Sequence, residues 1–195
     1  MTPVLCFVTD RRRFGASWED VLVRRVRVAA LEGVHLIQVR ERDLDGGPLT
    51  RLVAACVDAV RGTRARVLVN DRFDVALAAD AHGVQLRGDS FPASRIRACA
   101  PRGFLIGRSV HSVSDALAAA DDAVDYLIFG TVFASDSKPD CPAAGLHELS
   151  AVARATRLPV LAIGGMTSSK IADVMRAGAA GAAGISMFDM PSSVS

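Results

Sequence analysis

Three features of the sequence predict an α/β protein built as a closed barrel of parallel strands. Short apolar runs alternate with helix-patterned segments along the whole chain. These runs are apolar at successive positions, as strands buried on both faces of a parallel sheet require. Eight such runs are present. Eight strand–helix alternations favour a (β/α)8 TIM barrel over an open doubly wound sheet, for which about five or six strands are usual.

Composition sets the outer bounds. The 195 residues are expected to form one domain spanning 1–195, large enough for a sizeable core and small for a barrel. Half of the residues are hydrophobic (50%). No run reaches the roughly 18 apolar residues that a membrane span needs, so no membrane partner is expected. The opening MTPVLCFVTD goes straight into a strand and lacks the pattern of a signal peptide, pointing to the cytoplasm. A net charge of +2 gives no reason to expect nucleic acid, and Arg11, Arg12 and Arg13 read as a solvated loop. Cys6, Cys56, Cys99 and Cys141 have no metal-ligand spacing and read as reduced thiols.

The elements follow in order. VLCFVTD is the first strand, with a helix over Trp18 to Leu31. VHLIQVRE is the second, and Gly46, Gly47 and Pro48 open a helix reaching Val60. ARVLVND is the third, with a helix over Asp74 to Ala79, and the short GVQL is the fourth. FLIGRSV precedes a helix over Val113 to Ala120, and YLIFGTVF runs into a long polar loop and a helix from Leu146 to Ala155. PVLAIGG is a strand stopped by two glycines. Thr167 is the expected N-cap of a helix over Ser169 to Ala177, Gly178 its C-terminal stop, and AAGAAGISM the eighth strand. Only DMPSSVS follows, so the last helix is expected to be short or missing. Such a gap would leave apolar barrel surface to be covered by a partner chain, unless the sequence is truncated.

In a parallel barrel, function sits at the carboxyl ends of the strands. Those ends here carry Thr9, Asp10, Gln38, Arg40, Arg42, Asn70, Asp71, Gln85, Asp89, Ser90, Arg108, Ser109, His111 and Thr131, then the loop Ser135, Asp136, Ser137 and Lys138. Alternation along the second strand turns Gln38 and Arg40 the same way, inward. A charge so placed needs either an internal partner, for which Asp71 is the candidate, or an anionic ligand. Arg40, Arg42, Lys138, several hydroxyls and two glycine loops form a donor set able to hold more than one phosphate group. Gly164, Gly165 and Gly184 suit a phosphate cradle of bare backbone N–H groups, or else close packing. Asp71, beside Asn70, is a candidate Mg²⁺ ligand together with substrate phosphate oxygens. His111 is either a general acid or base or a hydrogen-bonded structural residue.

The motifs QVRER, VNDRFDVALA, GVQL, IGRSVHS, FGTVFASDSKP, AIGGMT and AGAAGISMF together resemble the thiamine phosphate synthase/TenI family, in consistent order from about Thr9 to Phe188. The resemblance implies a barrel that binds a phosphorylated thiazole in thiamine biosynthesis, usually as a dimer, so a homodimer is expected. The synthase branch joins a pyrimidine pyrophosphate to thiazole phosphate with Mg²⁺. Its pattern carries over to Gln38, Arg40, Asn70, Asp71, Ser109, Ser135, Ser137 and Lys138, with Gly164, Gly165, Ile185 and Ser186 at the thiazole-phosphate loops. Two positions depart from it. Arg42 stands where the synthases usually have Lys, and Ser90 stands at the second metal carboxylate, leaving Asp89 next door. The TenI branch is closer in wording, with RER, VQL and IGRSVHS. It implies a thiazole tautomerase without a cofactor, although that branch's proton-shuttling histidine falls at Thr131. Threonine does not titrate near neutrality and cannot replace that histidine as a base; His111 is a candidate in its place, at a position that both branches often share. The leading expectation is therefore TenI-like tautomerase-type activity with His111, Arg40 and Lys138 as catalytic candidates. The alternatives are a Mg²⁺-dependent thiamine phosphate synthase and a non-catalytic thiazole-phosphate binder.

Overall fold

The computed structural model describes residues 2–134 and 142–188. Its eight parallel strands close into a barrel in sequence order. They are β1 (Val4–Val8), β2 (Leu36–Val39), β3 (Arg66–Asn70), β4 (Gly83–Leu86), β5 (Leu105–Val110), β6 (Tyr126–Gly130), β7 (Val160–Ile163) and β8 (Gly181–Gly184). The barrel closes where β8 pairs with β1, from Val4 against Gly181 to Phe7 against Gly184. The helices outside are α1 (Trp18–Leu31), α2 (Gly46–Ala59), α3 (Phe73–Ala78), α4 (Ala93–Arg97), α5 (Val113–Ala120), α6 (Gly145–Ala155) and α7 (Ile171–Arg176).

Alternation divides the strand side chains into two sets. Cys6, Val8, Leu36, Leu68, Tyr126, Ile128, Leu161 and Ala183 fill the barrel interior. Outward residues such as Phe7, Ile37, Val67, Val84, Ile106, Leu127 and Ala162 pack against the helices in a larger cluster. Helix spacing supplies the other half of that layer, for example Leu22, Val26, Ala29 and Ala30 on α1. Two histidines at strand starts serve the fold. His35 Nδ1 accepts from the Leu5 amide and His82 Nδ1 from the Val67 amide.

Four details differ from the sequence reading. First, α4 was not anticipated. It buries only Ala93 and Ile96, too few positions to make a period visible, and its cap comes from far along the chain. The carboxylate of Asp122, just past α5, accepts from the amides of Ala93 (2.5 Å) and Ser94 (3.1 Å). Second, Thr167 precedes a 3-10 turn (Ser168–Lys170) rather than an α-helix and makes no side-chain cap, its hydroxyl meeting Ser169 instead. Third, Arg11 is not solvated. Its guanidinium pairs with Asp43 at 2.9 Å and lies over the Trp18 ring, while its amide donates to the buried Glu41 carboxylate. Fourth, part of the face expected to be bare beside β8 is covered within the chain. A 3-10 turn (Ser186–Phe188) follows β8, Phe188 meets Phe7 edge-on at 5.5 Å, and Arg25 donates to its carbonyl. Phe7 and Ala182 are buried accordingly. No α-helix follows β8 among the described residues.

The closing seam depends on one glycine. A Cβ at Gly181 would lie 1.9 Å from the backbone oxygen of Val4, and backbone inside a barrel cannot step aside. Gly181→Ala is expected to cost more than about 3 kcal/mol, beyond the usual overpacking range, read as a fall in the urea midpoint. Burial pushes the thiols of Cys6 and Cys56 up to about 12, so both stay protonated and shielded. Labelling of the native protein with a thiol reagent, followed by mass mapping, is expected to modify the exposed Cys99 and spare Cys6 and Cys56.

Candidate active site

The carboxyl ends of the strands surround a cavity of about 830 Å³, within the usual range for small-molecule sites. Its floor is the uppermost inward layer of the barrel, and it has two halves. Val8, Ile128, Ile163 and Ile185 make one side apolar, while Gln38, Asn70 and Ser109 make the other polar. The polar half is wired together because buried amides need partners. Gln38 Nε2 donates to Asn70 Oδ1 at 3.0 Å. Beneath them Tyr126 donates its hydroxyl to Gln85 Oε1 at 2.7 Å, and Gln85 Nε2 donates to Ser109 at 3.2 Å. Tyr126 is therefore a support for the floor as well as packing. Desolvation raises its phenol well above the ordinary value, so it stays a donor.

The rim above this floor is cationic. Arg40, Arg42 and Arg87 all line the cavity, with His111, Thr131 and Gly164 on the far side. The backbone of Arg40 is fixed from below: its amide donates to Thr9 Oγ1, and that hydroxyl donates to the buried Glu41 at 2.5 Å. Burial pushes the Glu41 carboxyl up, while Thr9 and the Arg11 amide oppose the shift. The Arg40 guanidinium itself is pulled down, first by desolvation and then by the charge of Arg42. An anion between the two arginines would offset the repulsion and favour the charged form of Arg40. No pair between Arg40 and Asp71 forms; among the described residues Arg40 makes no ion pair at all.

His111 is held by its Nδ1, 2.5 Å from the carbonyl oxygen of Gly130. A carbonyl only accepts, so Nδ1 carries the proton and Nε2 of the neutral ring is left as the basic nitrogen. The glycine loop after β7 runs with φ of +101° at Gly164 and +57° at Gly165. A Cβ at Gly164 would strike Thr131 at 2.5 Å, and one at Gly165 would strike the Ala134 oxygen at 2.2 Å. Close packing thus requires both glycines, whatever the loop binds. Lys170 Nζ donates to the Gly165 carbonyl at 2.6 Å and lies over the Phe133 ring, tying the loop down. Gly165, Gly184 and Ser186 do not line the cavity, and a Cβ at Gly184 would press on Met187 at 3.1 Å. Ser135, Ser137 and Lys138 lie outside the described residues.

The carboxylates named for Mg²⁺ are already engaged. Asp71 sits beside a smaller cavity of about 180 Å³ shared with Arg42, Asn70 and Arg87. Its Oδ1 accepts a short hydrogen bond from the Ser90 hydroxyl, and Arg87 Nη1 stands 3.9 Å from Oδ2. Asp89 is paired to Arg87 Nη2 at 2.5 Å. Among the described residues no group of three or more His, Cys, Asp or Glu side chains is placed to hold a metal. One carboxylate capped by a hydroxyl and flanked by a guanidinium does not fit Mg²⁺, which needs near-octahedral oxygen ligands.

Arg87 and Arg108 are the site residues that sequence reasoning passed over or left without a role. A signal for Arg87 was present, since Gln85-Leu86-Arg87 at the end of β4 repeats Gln38-Val39-Arg40 at the end of β2. Alternation sends both arginines to the same rim. Arg108 points outward and is buried. It donates to the carbonyls of Gly88, Ser90 and Phe91 and pairs with Asp122 at 3.3 Å, fixing the loop that carries Ser90. No local pattern announces that role.

Residues 5–188 match the family model described as thiamine monophosphate synthase. The chain belongs to the thiamine monophosphate synthase/TenI family. Among its relatives, the thiamine-phosphate synthase of Roseiflexus castenholzii is 40% identical over 184 residues, covering 94% of this chain and 79% of that protein. The thiamine-phosphate synthase of Methanoculleus marisnigri is 43% identical over 161 residues, covering 82% of this chain and 76% of that one. The solved structure of the Pyrococcus furiosus thiamine phosphate pyrophosphorylase superposes with a TM-score of 0.81 at 34% identity, over 94% of this chain and 85% of that chain.

Asp122 offers a test of how the rim is held. Burial raises its carboxyl, but the amides of Ala93 and Ser94, the Ser94 hydroxyl and the Arg108 charge outweigh that and leave it below the ordinary 3.8. A lowered carboxyl stabilises the folded state above the ordinary pKa and loses that contribution as pH falls through the lowered one. Asp122→Ala is expected to cost about 1–3 kcal/mol near neutrality. Denaturation series across pH will show the gap to wild type narrowing below pH 3.8.

Proposed function

We propose that the chain is an enzyme that joins a pyrimidine diphosphate ester to thiazole phosphate, forming thiamine phosphate and releasing pyrophosphate. The observation that carries the reading is the cluster of Arg40, Arg42 and Arg87 over a floor that is polar on one side and apolar on the other. The apolar half suits a flat heteroaromatic ring, and Gln38, Asn70 and Ser109 offer donors and acceptors to ring substituents. As the carbon–oxygen bond to the leaving group breaks, negative charge grows on pyrophosphate and positive charge on the pyrimidine methylene. Fixed guanidiniums stabilise the first. The thiazole nitrogen then forms the new carbon–nitrogen bond to that methylene. The names of the relatives favour this coupling over the tautomerase expectation. The free thiols of Cys6, Cys56 and Cys99 support a reducing compartment such as the cytoplasm.

A second reading, proton transfer on a thiazole phosphate, rests on His111, whose fixed tautomer leaves Nε2 as a base at the cavity. One assay separates the two. With pyrimidine pyrophosphate and thiazole phosphate in Mg²⁺ buffer, the coupling reading predicts thiamine phosphate, detected as fluorescent thiochrome after oxidation. Arg40→Ala is expected to lower kcat/KM by roughly 10²–10³-fold, while His111→Ala changes it little. Absence of product, together with His111-dependent exchange of the thiazole proton, would replace the coupling reading with the second one.

A further inference from the structure

We propose that Arg87 takes the place of a divalent cation at this site: its guanidinium, seated between Asp71 and Asp89, is the fixed positive charge on which a pyrophosphate-class anion docks without Mg²⁺. The geometry is a closed circuit. The Arg87 amide donates to Ser90 Oγ at 3.0 Å, and the Ser90 hydroxyl donates to Asp71 Oδ1, so that serine has both of its roles filled. The side chain of the same arginine faces Asp71 Oδ2 through Nη1 and holds Asp89 through Nη2. A Mg²⁺ ion on Asp71 would meet a hydroxyl proton at one oxygen and a permanent cation beside the other, and a divalent ion feels twice the repulsion of a monovalent one. Arg87, Arg40 and Arg42 together outnumber Asp71 and Asp89, so an anion at the rim meets a net positive charge. Arg87 lines the main cavity beside Arg40 and Arg42, and its side chain is 49% exposed, so it is open to a ligand. Guanidinium offers several N–H donors in a planar fork suited to phosphate oxygens, and the carboxylates on either side aim it.

The identity of the anion rests on the coupling reading; the exclusion of the cation does not. Calorimetric titration of the full chain with inorganic pyrophosphate, first in EDTA and then in Mg²⁺, tests the proposal apart from turnover. Wild type is expected to bind pyrophosphate in EDTA, with Mg²⁺ tightening it by no more than about twofold. Arg87→Ala will weaken binding tenfold or more in EDTA, and Arg87→Lys will fall between. The double variant Arg87→Ala with Ser90→Asp places two carboxylates together without the guanidinium and is expected to bind pyrophosphate only with Mg²⁺. Wild-type binding that needs Mg²⁺, no binding in either buffer, or unchanged affinity in Arg87→Ala and Arg87→Lys each overturns the proposal. Metal-free binding without any thiamine phosphate formed would overturn the coupling reading and leave this one intact.

Discussion

The structure depends on one constraint: a closed parallel barrel gives an inward side chain no route to solvent except at the barrel's ends. Below the mouth an inward polar group must find a partner inside. Tyr126, Gln85 and Ser109 do so in a chain of hydrogen bonds, and Gln38 with Asn70 in a second. An unpaired buried amide would cost about 1–3 kcal/mol. At the mouth the same alternation delivers charge rather than amide. Arg40 follows Gln38 by one strand repeat, and Arg87 follows Gln85 by the same step. The floor and the rim are thus two consequences of one period.

Around that period the outer layers hold the loops of the rim. Thr9 and Glu41 anchor the Arg40 backbone, and Arg11 closes over Glu41 from the β1 side. Arg108 and Asp122 gather the loop after β4, and Lys170 gathers the loop after β7. Each is a polar or charged group that meets backbone or another such group across a large sequence separation or a tight turn. Glycine provides the remaining freedom at Gly164 and Gly165, where positive φ and close approach to Thr131 and Ala134 coincide.

These distances explain what the sequence made legible. The strands and long helices could be read because each carries its own period: α1 and α5 begin and end where their apolar spacing says they do. Inward Gln38 and Arg40 could be read from alternation alone. The short α4 could not, since its cap is Asp122, nearly thirty positions away. The role of Ser90 was half legible: its identity marked a lost carboxylate, but only the fold shows its hydroxyl on Asp71 and Arg87 beside both. Arg87 itself was visible as a second Gln-x-Arg and passed over, because a lone arginine after a short strand looks like any surface charge.

The proposed function requires the guanidinium rim over the half-polar floor to be the anion receptor of this barrel. The most direct measurement is a crystal structure of the chain grown with pyrophosphate and Mn²⁺, the metal being located by its anomalous scattering. The expected result is pyrophosphate oxygens against Arg40, Arg42 and Arg87, with no anomalous peak at Asp71. A manganese peak bridging Asp71 and pyrophosphate, with Arg87 turned away, would contradict it.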